Sequence, residues 1–427
     1  MNEPIFIARQ DTLEQEILPA HWLAQYKLFG EESYTFQDKE IWKKLCMSSA
    51  AANDRDMHAE ALEEMLTTFS AEHTGKWMLL VYGTNAAALE GLATMAAIAA
   101  NGTAMAAVAG NALLMHAITN SETAMQRIAN SQTAMQRVAN NRGAMDAIGR
   151  SRIARDAVQA SPYYNSCIKE NDMAIAKLAV ALANLESAGY SGMAGVAADS
   201  TAMTAVAASA TAMTAVAASS VARNAISASP YYDEKIKEND MAIAKLVVGF
   251  ANLESARYSG CAGMAADSTA MTAVAASSTA MTAVAASGVA LKAIAQAYKN
   301  TANMLQFLKA VNASDTLVKR IYSTLTGATG LFGATQLGSQ DGVESANSWA
   351  TTSAAPNAFL ACACGYYSSG GSSVNVTYNG TVIAENKTGA KQPGSVTSTN
   401  VNAITMAPST FTENGDGWLA VQKFTAK

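Results

Sequence analysis

The sequence predicts a mainly α-helical chain: an N-terminal helical head, a shaft of ten-residue short-helix repeats and a small C-terminal antiparallel β domain. Three observations carry that prediction. A ten-residue phrase that opens on a helix-capping residue recurs from Gly91 to Ala295. A longer period lies over it, since Ser161-Pro162-Tyr163-Tyr164 returns as Ser229-Pro230-Tyr231-Tyr232. Beyond about Gln340, alanine gives way to Gly, Ser and Thr, with apolar alternation on both sides of Asn379-Gly380.

The phrase reads Ser121-Glu-Thr-Ala-Met-Gln-Arg-Ile-Ala-Asn130 and returns from Ser131, Asp199, Ser209, Asp267 and Ser277. Ser, Asp and Asn cap helix N-termini because a side-chain oxygen accepts an orphan backbone N–H. Pro162 and Pro230 follow such caps, at the first helical position, where proline is favoured. Met125, Met135, Met203, Met213, Met271 and Met281 hold the fifth place, and Ile128, Val138, Val206 and Val274 the eighth. Residues three apart share a helix face, so these methionines are the expected core of the shaft. Thr214, one place after Met213, is expected to face water.

One straight helix does not suit this spacing. Ten residues advance roughly 1000°, which leaves the apolar stripe turned by about 80° per copy. Neither of the coiled-coil periods fits. The expectation is a two-turn helix and a tight corner in each copy, with Asn120, Asn130 and Asn140 ending helices in the left-handed conformation. Such helices cannot persist alone, but stacked as a solenoid they bury Met, Val and Ala in one core. The rival is a long overwound helix in a homotrimeric rod.

The longer period makes 161–228 and 229–296 a tandem duplication. In each half the short beat is interrupted once, by Met173 to Leu185 or Met241 to Leu253, where a helix of three to four turns is expected.

The flanks differ in composition. Residues 1–90 read as a helical head, with Trp22, Trp42, Trp77, Tyr26 and Phe29 as aromatics for a core or a docking surface. Residues 297–340 read as one amphipathic helix, Asn300 to Arg320, followed by a flexible joint at Gly327, Gly330, Gly333 and Gly338. Residues 341–427 read as a β sandwich, with a hairpin about Asn379-Gly380 and further strands at Phe359–Tyr367, Ala403–Met406 and Trp418–Phe424.

The 427 residues carry a net charge of −5 and no basic block, which excludes nucleic acid as an expected partner. Gly91 to Ser121 is uncharged but consists of Ala, Gly, Thr and Asn rather than Leu and Ile, so membrane insertion is not expected. The opening Met1 to Asp11 lacks the basic start and apolar core of a signal peptide. The five cysteines form no framework; Cys261 replaces Met193 in the duplicated half and reads as a buried thiol. Cys362 and Cys364 share one face of a strand, but two ligands do not make a zinc site. His21, His58, His73 and His116 show no metal spacing. Glu413 and Asp416 flank Asn414-Gly415 and read as a turn. No phosphate loop, nucleophile elbow or dinucleotide fingerprint occurs. No catalytic residue, cofactor or metal is expected.

Function is more often carried by loops on a rigid frame than by a repetitive shaft. The candidate contacts are therefore in the tail, in loops 368–373 and 387–402. Asn386, Lys387, Lys391 and Gln392 offer donors suited to an acidic or hydroxylated glycan.

The phrase Ser-x-Thr-Ala-Met-x-Ala-Val-Ala-x, as at Ser277 to Ala286, resembles repeats of bacteriophage virion fibres, including tail-fibre and whisker-like proteins. The resemblance covers the repeat zone, about half of the chain. It implies a structural, receptor-binding virion component, usually a homotrimer, made in the bacterial cytoplasm. Its head would bind other virion proteins and its β tip a host-surface glycan or protein. Two alternatives are a shaft or collar protein whose β tail only trimerises or docks a partner, and a glycan-degrading tip.

Overall fold

The computed structural model describes residues 86–89, 91–340, 348–351, 357–366, 371–391, 395–415 and 418–427, with isolated residues between Leu62 and Met78. The expected head at 1–90 lies almost wholly outside the described residues, as do Cys46, His21, His58 and His73. The chain is mainly helical with a C-terminal antiparallel β region. It divides into two compact units, Met1–Val196 and Ala197–Lys427.

In the first unit each phrase forms its own helix. Gly102–Ala109, Ala112–Thr119, Glu122–Ala129, Gln132–Ala139, Arg142–Arg150 and Arg152–Ala160 follow one another with a cap residue between them. The pattern in Glu122–Ala129 is typical: Ala124, Met125, Ile128 and Ala129 are buried, while Glu122, Gln126 and Arg127 are exposed. Full burial of a Met or Ile side chain contributes about 1.5–3 kcal/mol, so every copy adds a comparable increment. The chain turns 98° between Gly102–Ala109 and Ala112–Thr119. A continuous overwound helix does not form.

The corner is made differently from the expected left-handed asparagine. Asn120, Asn130 and Asn140 have φ of −103°, −89° and −92°. Asn130 still donates its N–H back to Gln126 O at 3.0 Å, so it finishes the helix. The following cap residue is extended, as at Ser131 with φ −118° and ψ 117°, and this swing redirects the chain. Left-handed asparagines occur instead at Asn184 and Asn252, with φ of 59° and 57°. These follow the long helices Asp172–Leu182 and Asp240–Phe250. Leu185 N–H reaches Val180 O and Leu253 N–H reaches Val248 O, both at 3.1 Å, the long bond of a Schellman ending.

Three helices complete one turn of the stack. Gln132–Ala139 lies on Gly102–Ala109, Arg142–Arg150 on Ala112–Thr119, and Arg152–Ala160 on Glu122–Ala129. Corners therefore lie over corners, and the cap hydroxyl serves both. Ser131 Oγ accepts Ala134 N–H at 3.3 Å and donates to Ala99 O, one turn below, at 2.6 Å. Ser151 Oγ accepts Ala154 N–H at 3.3 Å and donates to Thr119 O at 2.5 Å. Ser161 Oγ accepts Tyr163 N–H at 3.1 Å and donates to Ala129 O at 2.5 Å; Pro162 here lies in a turn before a short helix, Tyr164–Cys167. At Ser121 the hydroxyl donates to Glu63 Oε2 at 2.5 Å and accepts Ala124 N–H at 3.1 Å.

The second unit repeats the scheme. Ser200–Ala208 and Ala210–Ala218 meet at 100°, Ser268–Ala276 and Ser278–Ala286 at 104°. Asp199 and Asp267 each accept two backbone N–H groups, while Ser209 and Ser277 accept one. Met203, Met213 and Met271 are fully buried and Met281 nearly so. Ser229 Oγ donates to Ala197 O at 2.5 Å. Each duplicated half supplies six helices, Tyr164–Cys167 through Ser220–Ser227 in the first copy and Tyr232–Lys235 through Gly288–Gln296 in the second.

Two lysines in equivalent places of the duplication are buried. Lys177 Nζ is 2.5 Å from Asp146 Oδ1 and donates to Ser187 O at 3.0 Å. Lys245 has the same backbone acceptor, Ser255 O at 2.9 Å, but Thr214 Oγ1, also at 2.9 Å, where the first has a carboxylate. Thr214 thus supports a buried ammonium and does not simply face water. Burial holds the Lys245 ammonium below the usual lysine range.

The β region follows without a joint. Strands β1 (Phe332–Gln340), β2 (Ser348–Thr351), β3 (Ala358–Tyr366), β4 (Ser372–Tyr378), β5 (Thr381–Thr388), β6 (Ala390–Lys391), β7 (Ala403–Met406), β8 (Ser409–Gly415) and β9 (Trp418–Ala426) build two sheets. One has the order β1-β9-β3-β6 with β7 also on β3; the other is β2-β8-β4-β5. Gly333 and Gly338, expected in a hinge, are paired within β1 to Thr425 and Val421. Asn300 to Arg320 is two helices, Thr301–Asn312 and Asp315–Gly327, because Ser314 caps the second. These helices seat the strands. Buried Asn312 donates to Ile404 O at 2.8 Å and accepts Ile404 N–H at 3.0 Å, imitating a neighbouring strand for β7. Tyr322 OH contacts Val396 O and Gln422 Oε1 at 2.8 and 2.9 Å. The expected hairpin closes at Asn379 and Gly380, with φ of 46° and 77°, both positive as a type I′ turn requires.

Three tests follow from this packing. Deleting 161–228 removes one 68-residue period in phase and should leave a single cooperative melt within a few degrees of the parent, whereas deleting 211–215 should lower the midpoint sharply. Met213→Asp should cost on the order of 3 kcal/mol in urea titrations, by burying an unpaired charge. Thr214→Asp should instead stabilise, by giving Lys245 the partner that Lys177 has. With its folded pKa lowered, Lys245 binds fewer protons folded than unfolded, so parent stability rises with pH between that value and the ordinary lysine pKa of about 10.4. That rise should shrink in Thr214→Asp.

Candidate functional site

Of the two tail loops named by the sequence, 387–402 meets helix Asp315–Gly327 in a polar cleft of about 260 Å³. Its walls are Asp315 and Lys319 from the helix, Asn386, Lys387 and Thr388 from β5, and Thr399 to Asn402 from the loop before β7. Positive φ at Asn386, 49°, marks an irregular step in β5, and the backbone N–H there donates to Asn375 Oδ1 at 2.6 Å.

The cleft corrects the picture of Lys387 as a free donor. Its Nζ lies 2.7 Å from Asp315 Oδ1. The hydrogen bond and charge of Lys387 hold the Asp315 carboxyl below its ordinary range, with Lys319 adding to the effect. Lys319 lies four residues after Asp315, is exposed, and has no ion pair among the described residues. Lys391 pairs its backbone with β3 opposite Tyr366; its side chain and the whole of Gln392 are outside the described residues.

The loop wall is fixed by two amides. Asn400 Oδ1 accepts Thr397 N–H at 2.6 Å and Thr397 Oγ1–H at 2.9 Å, while its Nδ2 donates to Ser395 O at 2.7 Å. Asn402 Oδ1 accepts Cys364 N–H at 2.7 Å and its Nδ2 donates to Thr388 O at 2.8 Å. Sequence reasoning missed Asp315 and Lys319, and held Asn400 and Asn402 only as members of loop 387–402. Asp315 and Lys387 lie 72 residues apart, and no local pattern joins them.

Other reactive side chains are committed to the fold. Burial pushes the Cys261 and Cys362 thiols up strongly and Cys364 up to about 11, so none is thiolate at neutral pH. Glu413 lies within β8, not in a turn, and accepts Ser372 Oγ–H at 2.7 Å in the core. His116 lies in the last turn of Ala112–Thr119, 3.4 Å from Asn120 Nδ2. A larger groove of about 870 Å³ includes Asp233, Lys237, Glu238 and Arg320. Glu238 is occupied there, accepting Gly288 and Val289 N–H at 3.0 and 3.1 Å as a helix cap. Among the described residues, no three His, Cys, Asp or Glu converge on a metal position.

The Lys387–Asp315 pair is testable by pH. Asp315 has a lowered folded pKa, so its contribution is present above the unfolded carboxylate pKa and is lost as pH falls through the folded one. Lys387→Met should melt below the parent at pH 7, and the gap should narrow as pH falls below the ordinary aspartate pKa of about 3.9. An equal gap above and below that pKa would remove the pair from the account. The chain as a whole matches no known protein family and no curated protein.

Proposed function

We propose that this chain is a structural, non-catalytic component of a bacteriophage fibre. On this reading the N-terminal segment anchors it to the virion, the repeat forms the shaft, and the C-terminal β region contacts a receptor on the host surface. The assembly is a homotrimer. The observation that supports this best is the contrast between the two kinds of structure. The repeats spend their apolar and capping residues on stacking. The tail spends paired amides on holding a polar cleft open at a loop.

A second reading has its own observation. Solenoids need a terminal element to cover the last apolar layer, and helix Gly288–Gln296 packs against β3 and β9. The β region would then serve chiefly as the cap of the shaft, in a collar or whisker protein. Antibodies against the C-terminal region, used with gold labelling on intact particles, should decorate fibre tips, and purified full-length protein should bind susceptible cells saturably and slow particle adsorption. Labelling confined to the collar, with no cell binding, would favour the second reading; no labelling of particles at all would sink both.

A further inference from the structure

We infer that the cleft between helix Asp315–Gly327 and β5 binds one carboxylated sugar residue, such as a uronic acid of a surface polysaccharide. This rests on the receptor-contact reading above and gives it a site and a ligand class.

Size sets the first limit. About 260 Å³ falls below the roughly 300–1,000 Å³ of pockets for drug-sized ligands, and suits a single sugar ring. Charge sets the second. Lys319 and Lys387 face one carboxylate, Asp315. Lys387 is neutralised by Asp315 at 2.7 Å, which leaves the Lys319 ammonium as the one surplus charge among the described residues of the wall. One surplus positive charge calls for a monoanion. Phosphate groups are better matched by guanidinium forks, and no arginine is among the described residues that line this cleft.

Hydrogen-bonding capacity sets the third. Asn400 is 5% exposed and its amide is consumed by Thr397 and Ser395; Asn402 is consumed by Cys364 and Thr388. The walls are thus fixed before a ligand arrives, which lowers the ordering cost of binding. The side-chain amide of Asn386 and the hydroxyl of Thr388 are exposed and make no hydrogen bond among the described residues. An amide and a hydroxyl beside an ammonium can hold vicinal sugar hydroxyls and a ring carboxylate at once.

The test uses the full chain and sodium D-glucuronate, with D-glucose and inorganic phosphate as comparison probes, followed by saturation-transfer NMR. Glucuronate should bind saturably, at least tenfold tighter than glucose, and phosphate should not displace it. Lys319→Ala and Asn386→Gly should each weaken it by tenfold or more with little change in melting, since Lys319 is exposed and glycine accepts the positive φ of Asn386. Equal binding of glucose, displacement by phosphate, or unaltered binding in both variants would overturn the inference. Cell adsorption keeps the two readings apart. If the parent and the double variant adsorb equally, the cleft is not the contact and the receptor reading stands. If the parent itself does not adsorb to susceptible cells, the receptor reading fails.

Discussion

The stacked corner is the constraint on which the repeat depends. A two-turn helix leaves most of its backbone groups unsatisfied at its ends, and here successive ends lie inside a stack. The serine hydroxyl answers both needs, as acceptor for the helix it opens and donor to a carbonyl of the turn below. A carboxylate can only accept. Among the buried corners, serine donates in this way at 151, 161 and 229 and to the Glu63 carboxylate at 121, while Asp199 and Asp267 sit at partly exposed corners.

Close stacking also fixes what else the layers tolerate. Gly249 packs so tightly that an added Cβ would lie 2.3 Å from Ala217 O, and Gly149 stands opposite Ala181 in the equivalent layer. The glycine has changed sides between the copies, but one partner remains glycine in each. The buried lysines show the same economy. Both reach a loop carbonyl, yet Asp146 has become Thr214 at the equivalent place one duplication period on. Loss of one partner of a buried ion pair is usually costly, and the hydroxyl and carbonyls about Lys245 offset part of that cost. The β region closes the second unit through Asn312 and Tyr322, whose side chains stand in for strand and loop neighbours.

Much of this was legible in the sequence for a physical reason: capping, burial period and the Asn-Gly turn are local codes. Ser121, Asp199 and Met203 announce their roles within ten residues. The three-helix turn was written too, since Asn111, Asn141 and Asn171 recur at every third copy, although the shorter beat hides it. The left-handed asparagines were misplaced because a bridge-region residue followed by an extended cap turns the chain equally well. The glycines near 330 suggested a hinge, but strand partners more than 80 residues away, at Val421 and Thr425, override local flexibility. The cleft was legible only in part. Asn386 and Lys387 stood out as polar loop residues, whereas their helix partners Asp315 and Lys319 share no sequence neighbourhood with them.

The most direct test of the stacked corner compares Ser151→Ala with Ser151→Asp by urea unfolding. Aspartate keeps the acceptor for Ala154 N–H but loses the donor to Thr119 O. The account predicts that Ser151→Ala costs about 1–2 kcal/mol, the range for losing a cap, and that Ser151→Asp costs more, because an excellent cap brings a charge against an unsatisfied carbonyl. If Ser151→Asp is as stable as the parent, the hydroxyl acts as a simple helix cap and the layers are held by apolar packing alone.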